Sequence, residues 1–149
     1  MVDWSKFDEK INIEEMKTAI NDAKDNKRTK VEIPVGEYDV VVDNIECKES
    51  KNGEPMVVIK FKIIDGPYKN YSLWLNQVIT KGFQIHLVNE LLRGFVQLID
   101  MDIEWTSYEQ YEELLAEVLD EIYDEFEYTI DYKLNGTFPT YKVLEVHEL

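Results

Sequence analysis

Two lysines, Lys60 and Lys62, stand two residues apart in an otherwise apolar run, and Trp74 follows between Ser72 and Asn76. A strand period of two puts Val57, Ile59, Phe61 and Ile63 on one face. It puts Met56, Val58, Lys60, Lys62 and Ile64 on the other. After an Asp65-Gly66-Pro67 turn, Tyr71, Leu73 and Leu75 alternate with Ser72, Trp74 and Asn76. If Leu73 and Leu75 point inward, Trp74 points outward beside two outward lysines. Flat aromatic rings stack on unpaired bases and lysines meet phosphates, so this is a candidate single-strand platform. The bland alternative is a Trp74 packed under a loop and ordinary solvated lysines.

Around this platform stand Lys48 and Lys51 in a polar loop, Tyr68 and Lys69 in the next turn, and Asn76 and Gln77 beyond Trp74. The expected binding set is Lys60, Lys62, Tyr71 and Trp74, with Asn76 beside them and Lys48, Lys51 and Lys69 on the rim.

Other chemistry is thinly represented. His86 opens an apolar helix and His147 lies near the C-terminus, with no spacing of a triad or a metal-ligand pair. His86 reads as a capping or half-buried structural residue. Cys47 has no visible base and reads as an inert strand residue; as a lone cysteine it forms no internal disulfide. Lys51-Asn52-Gly53 is a turn and no phosphate loop. The expectation is a protein that is not an enzyme, with no metal and no cofactor.

The chain has 149 residues and a net charge of -15. Residues 1–100 carry 14 basic against 17 acidic residues, and residues 101–149 carry 2 against 14. A polyanion ligand normally needs a basic surface, so any nucleic-acid site must be local and in the first two thirds. Glu113, Glu117, Asp120 and Glu121 lie on an acidic helix that could imitate the spaced charge of nucleic acid and engage a basic protein. As a metal site it lacks the alternating acids and central glycine of an EF-hand. No apolar run resembles a signal peptide or spans a membrane.

The elements that must position these residues can be read in order. Trp4, Phe7 and Ile11 mark a polar N-terminal arm, and Asn12 caps a helix over residues 13–25. A basic run, Asn26 to Lys30, follows. Pro34-Val35-Gly36 introduces a strand through Tyr38, Val40 and Val42 to Cys47, and Asn52-Gly53 turns it into the next. Ile85, Val88, Leu91, Leu92, Phe95, Val96 and Ile99 give a broad helical face that plugs the core, with Gly94 allowing close approach of a neighbour. Ser107 and Gln110 form a capping box for an acidic helix, and two strands close the chain around Asn135-Gly136.

The predicted class is α+β, mainly β: an OB-like five-stranded barrel with a core helix between strands three and four, an N-terminal surface helix and an extra acidic helix. The domains expected are an arm and helix over residues 1–30 and one OB-like domain over residues 31–149, with helices at about 82–100 and 107–123.

The stretches WSKFD, IPVGEYDV, ECKESKNGEPMVVIKFKIIDGPYKNYSLWLNQVIT and GFQIHLVNELLRGF carry a resemblance. They are similar to a family of small phage proteins long catalogued as a domain of unknown function. Its positions fall here on Pro34, Gly36 and Tyr38; on Lys48, Ser50, Lys51, Gly53, Pro55 and Met56; on Gly66, Tyr68 and Lys69; on Trp74, Asn76 and Gln77; and on residues 83–86. The resemblance implies a single-stranded-DNA-binding protein of phage replication or recombination, acting in the host cytoplasm. Beside single-stranded DNA, the acidic helix makes a phage or host replication, recombination or defence protein a second candidate partner. An oligomer is left open, and so is the alternative of an acidic inhibitor or adaptor.

Overall fold

A computed structural model describes residues 32–149, and the elements below all belong to the unit Val35–Leu149. The expected N-terminal arm, the helix over residues 13–25 and the basic run at residues 26–30 lie outside the described residues.

The order is β1 (Gly36–Glu49), β2 (Pro55–Ile63), β3 (Ser72–Val78), α1 (Gly82–Phe95), α2 (Tyr108–Ile122), β4 (Phe126–Asn135) and β5 (Phe138–Glu148). The strands form one antiparallel sheet in the order β3-β2-β1-β4-β5. With the two helices of the described residues this is an α+β fold that is mostly β.

The alternation read from the sequence holds in β3 and, except at Val58, in β2; Val58 stands on the outward face and is nonetheless buried. Val57, Ile59, Phe61 and Ile63 are fully buried, and Leu73 and Leu75 are buried. β1 keeps its inward set, Val40, Val42 and Ile45, by a bulge between Val42 and Asn44. One extra residue, Asp43, resets the parity so that Ile45 faces Ile59. The β1–β2 turn is set by Gly53 at φ 77°, where an L side chain is strained, and by Gly53 N–H donating to the Ser50 carbonyl at 2.9 Å. In the β4–β5 turn, Gly136 takes the positive φ, 66°.

No ladder joins β3 to β5, so the sheet is open and the expected closed barrel is not formed. Side chains of α1 occupy the seam instead. Leu87, Val88 and Leu91 line a cleft of about 80 Å³ with Leu75 and Gln77 of β3 and with the start of β5. One hydrogen bond crosses it, from the Tyr141 hydroxyl to the Trp74 carbonyl at 2.8 Å.

The α1 helix buries Val88, Leu91, Leu92 and Phe95 as its spacing predicts. Gly94 lets β5 come close: a Cβ there would lie 2.9 Å from both Cβ and Cγ2 of Val143. The buried Tyr128 of β4 donates its hydroxyl to the Phe95 carbonyl at 2.7 Å, satisfying both groups. The helix stops at Phe95 rather than near residue 100. The Gln97 side-chain amide donates to the Gly94 carbonyl, and Ile99 N–H donates to Val96, replacing the next α-helical bonds with a tighter turn.

His86 is exposed on α1 rather than capping it or half-buried. The cap is made by the Gln84 side-chain oxygen, which accepts from the backbone N–H of Thr80 and of Lys81, each at 3.0 Å. On α2, Ser107 caps as expected, its hydroxyl accepting from Gln110 N–H at 3.1 Å. Gln110 reaches Thr106 N–H instead of the cap residue, so only half of the box forms. The buried face of α2, Tyr111, Leu114, Leu115, Val118 and Ile122, packs on β1.

Candidate nucleic-acid interface

Strand pairing builds the site. Lys60 lies directly opposite Trp74, Lys62 opposite Ser72, and Val58 opposite Asn76. Because Leu73 and Leu75 are drawn into the core, Trp74 is turned out and is 46% exposed. Asn76 is exposed on the same face, and so is Lys62. Of the binding set, the fold brings together Lys60, Lys62, Trp74 and Asn76.

Lys60 is not a free cation. Its Nζ lies 3.1 Å from Asp43 Oδ2, with both side chains about one third exposed. The same ammonium sits over the Trp74 ring, 5.4 Å from its centroid. The bulge in β1 thus delivers a carboxylate to the platform, making a row of Asp43, Lys60 and Trp74 across three strands. Among the described residues no carboxylate lies within ion-pair distance of Lys62.

Tyr71 does not join this row. Its carbonyl accepts from Ile63 N–H at 2.9 Å, which sets Tyr71 in register with an inward residue. Its ring meets Tyr68 edge-on at 6.2 Å, and Tyr68 meets Tyr38 in the same way. Tyr71 and Trp74 are three residues apart, so a pleated chain sends them to opposite sides.

The rim lysines divide as well. Lys48 and Lys51 stand at the β1–β2 hairpin, and Lys48 is paired with Glu46 at 3.7 Å. Lys69 stands in the β2–β3 turn, at the other end of the nine-residue β2, on the order of 30 Å away. They bracket the platform along the strand and do not ring it.

Asp43 and Tyr141 are the participants that sequence spacing misses. Tyr141 stacks on Tyr132 at 5.3 Å, packs against Phe61 at 4.8 Å and holds the Trp74 carbonyl. Burial, with Tyr132 adding to it, pushes its phenol above the ordinary tyrosine value, so it stays a neutral donor.

The acidic residues gather elsewhere. Glu117, Asp120 and Glu121 line a concavity of about 340 Å³ with Asp100, Ile99 and Met101. Glu113, on the same helix, does not line it. Among the described residues no group of His, Cys, Asp and Glu has metal-holding geometry. His147 Nε2 lies 3.0 Å from Glu145 on the surface. The Cys47 thiol is pushed up by burial, with Glu112 adding to it, which keeps it protonated and a poor nucleophile.

Residues 17–102 match the family described as "Protein of unknown function (DUF669)". The chain belongs to that family. The DUF669 match covers β1, β2, β3 and α1, and so takes in the whole Asp43–Lys60–Trp74 row. It leaves out α2, β4 and β5, and with them Tyr141 and the Glu117, Asp120 and Glu121 wall of the acidic concavity. No curated protein matches the chain. Among the described residues no helix is long and apolar enough to cross a membrane.

Proposed function

We propose that this DUF669 chain binds single-stranded DNA without catalysing a reaction, as a phage replication or recombination protein in the host cytoplasm. The observation that carries the reading is the outward Trp74, exposed on the β2–β3 face beside Lys60, Lys62 and Asn76. A base stacks on the indole, Asn76 offers hydrogen bonds to a base edge, and Lys62 meets a phosphate. Duplex DNA hides its base faces and gains nothing from a stacking platform. We also read the sheet as an OB-type barrel whose last seam is bridged by Tyr141 in place of a ladder. In that fold strands two and three are the usual face for oligonucleotides.

The chain is strongly negative, so binding depends on local charge and weakens steeply with salt. Titration of a labelled oligonucleotide at low and at high salt tests the reading. The expected result is saturable binding at low salt, reduced at high salt, with Trp74→Ala weakening it about 5- to 150-fold for one lost stacked base. No binding at low salt, or equal binding by the variant, would refute it.

A second reading draws on the concavity shared by Asp100, Glu117, Asp120 and Glu121. Here the acidic face engages a basic replication, recombination or defence protein as an inhibitor or adaptor. Neutralising Glu113, Glu117, Asp120 and Glu121 together separates the two. An adaptor loses its basic partner, whereas a DNA binder holds DNA equally well or better.

A further inference from the structure

Lys60 and Lys62 look equivalent in sequence, but only Lys62 is free of a carboxylate among the described residues. The Lys60 ammonium lies 3.1 Å from Asp43 Oδ2 and over the Trp74 ring at 5.4 Å. A phosphate brought to Lys60 would have to displace that carboxylate or sit against it. Lys60 already has its counter-charge from the protein, so it neutralises no phosphate and releases none of the strand's condensed counterions.

We propose that Lys60 is a positioning residue, held by Asp43, that supports the Trp74 indole from one face and leaves the other face for a nucleobase. It is not a phosphate contact. The inference rests on the single-strand reading and divides its lysines: Lys62 reads the backbone, and Lys60 serves the stack. The ammonium draws on the electron-rich ring face and fixes the indole against the sheet. The carboxylate keeps the ammonium there when a polyanion arrives. The row therefore favours ligands that offer an unpaired base over ligands that offer only phosphate.

Salt dependence of oligonucleotide affinity tests this, because each neutralised phosphate on a single strand contributes about 0.7 to the slope of log K against log salt. Asp43→Asn should free Lys60 for the backbone and steepen the slope by about 0.7. Lys62→Met should make it shallower by about 0.7. The paired change Lys60→Met with Asp43→Asn leaves local net charge unaltered, so its slope should match the wild type while affinity falls several-fold. All three residues are at least partly exposed, and urea unfolding checks that the variants keep the fold.

A shallower slope in the Lys60→Met, Asp43→Asn pair would show that Lys60 meets a phosphate and would overturn the inference. So would an Asp43→Asn slope equal to that of the wild type. Both leave the single-strand reading standing, provided that Trp74→Ala still weakens binding. Failure of the wild-type chain to bind, or indifference to Trp74→Ala, removes the parent reading and this inference together.

Discussion

Gly94 offers the sharpest test of how the platform is held. Gly in a helix interior normally costs about 1 kcal/mol relative to Ala, so Gly94→Ala in an open helix would stabilise. Here the new methyl would lie 2.9 Å from both Cβ and Cγ2 of Val143, and 3.7 Å from Cγ1. The Val143 Cβ is fixed to the backbone of β5, so no rotamer change relieves that contact. Either α1 or β5 must move, and overpacking of this kind costs about 1–3 kcal/mol. The net expectation is destabilisation of up to about 2 kcal/mol, read from urea midpoints at constant slope. Combining Gly94→Ala with Val143→Ala removes the Cγ2 contact, and combining it with Val143→Gly removes the Cβ contact too. The coupling energy should therefore be favourable and larger for glycine at position 143, reaching about 1 kcal/mol or more. Stabilisation by Gly94→Ala alone, or additivity within about 0.5 kcal/mol across the series, would refute the close approach.

Other expectations follow from single contacts. Tyr141→Phe removes the bond to the Trp74 carbonyl, and should cost about 1 kcal/mol of stability and weaken oligonucleotide binding; loss of neither would remove Tyr141 from the site. Ser107→Ala removes the cap of α2 and should cost about 1 kcal/mol in urea unfolding, with oligonucleotide affinity unchanged. Tyr111, Tyr128 and Tyr141 are all held above the ordinary tyrosine value of 10.0, chiefly by burial. A raised folded value stabilises fully below the unfolded value and is lost as pH rises toward the folded one. Stability should thus be steady on this account through neutral pH and fall above about pH 10, with part of the tyrosinate absorbance appearing only on unfolding. Complete tyrosine titration in a chain that is still folded would contradict this.

The strand faces were legible because burial enforces an alternation, interrupted in β2 at Val58. Val57, Ile59, Phe61, Ile63, Leu73 and Leu75 are enough to turn Trp74 outward. The place of Gly94 was legible too, since a glycine in a strongly apolar helical face has few other uses. Asp43 was not. A bulge adds a residue without a composition signal, and in the sequence Asp43 is one more polar residue in an alternating strand. Tyr71 was misplaced by reasoning from residue type over parity: an aromatic near a tryptophan is no neighbour when the pleat separates them. The end of α1 was set by a side chain, Gln97, competing for a backbone carbonyl, and hydrophobic spacing carries no trace of that. The open seam was hidden for a similar reason. Strand count and order are readable, but whether the first and last edges meet depends on the α1 side chains, Val88 and Leu91 among them, that line the cleft between them.

The family match stops at residue 102, yet the groups that brace its strands come from beyond it. Tyr128 ties down the end of α1, Val143 fits against Gly94, and β4 takes the second edge of β1. Cut from these, the matched segment would have Val40 and Phe95 uncovered and β1 as a bare border. The part that defines the family is thus a half-shell, and a relative with a different C-terminal third must supply a replacement lining before the same three strands can hold a tryptophan in place.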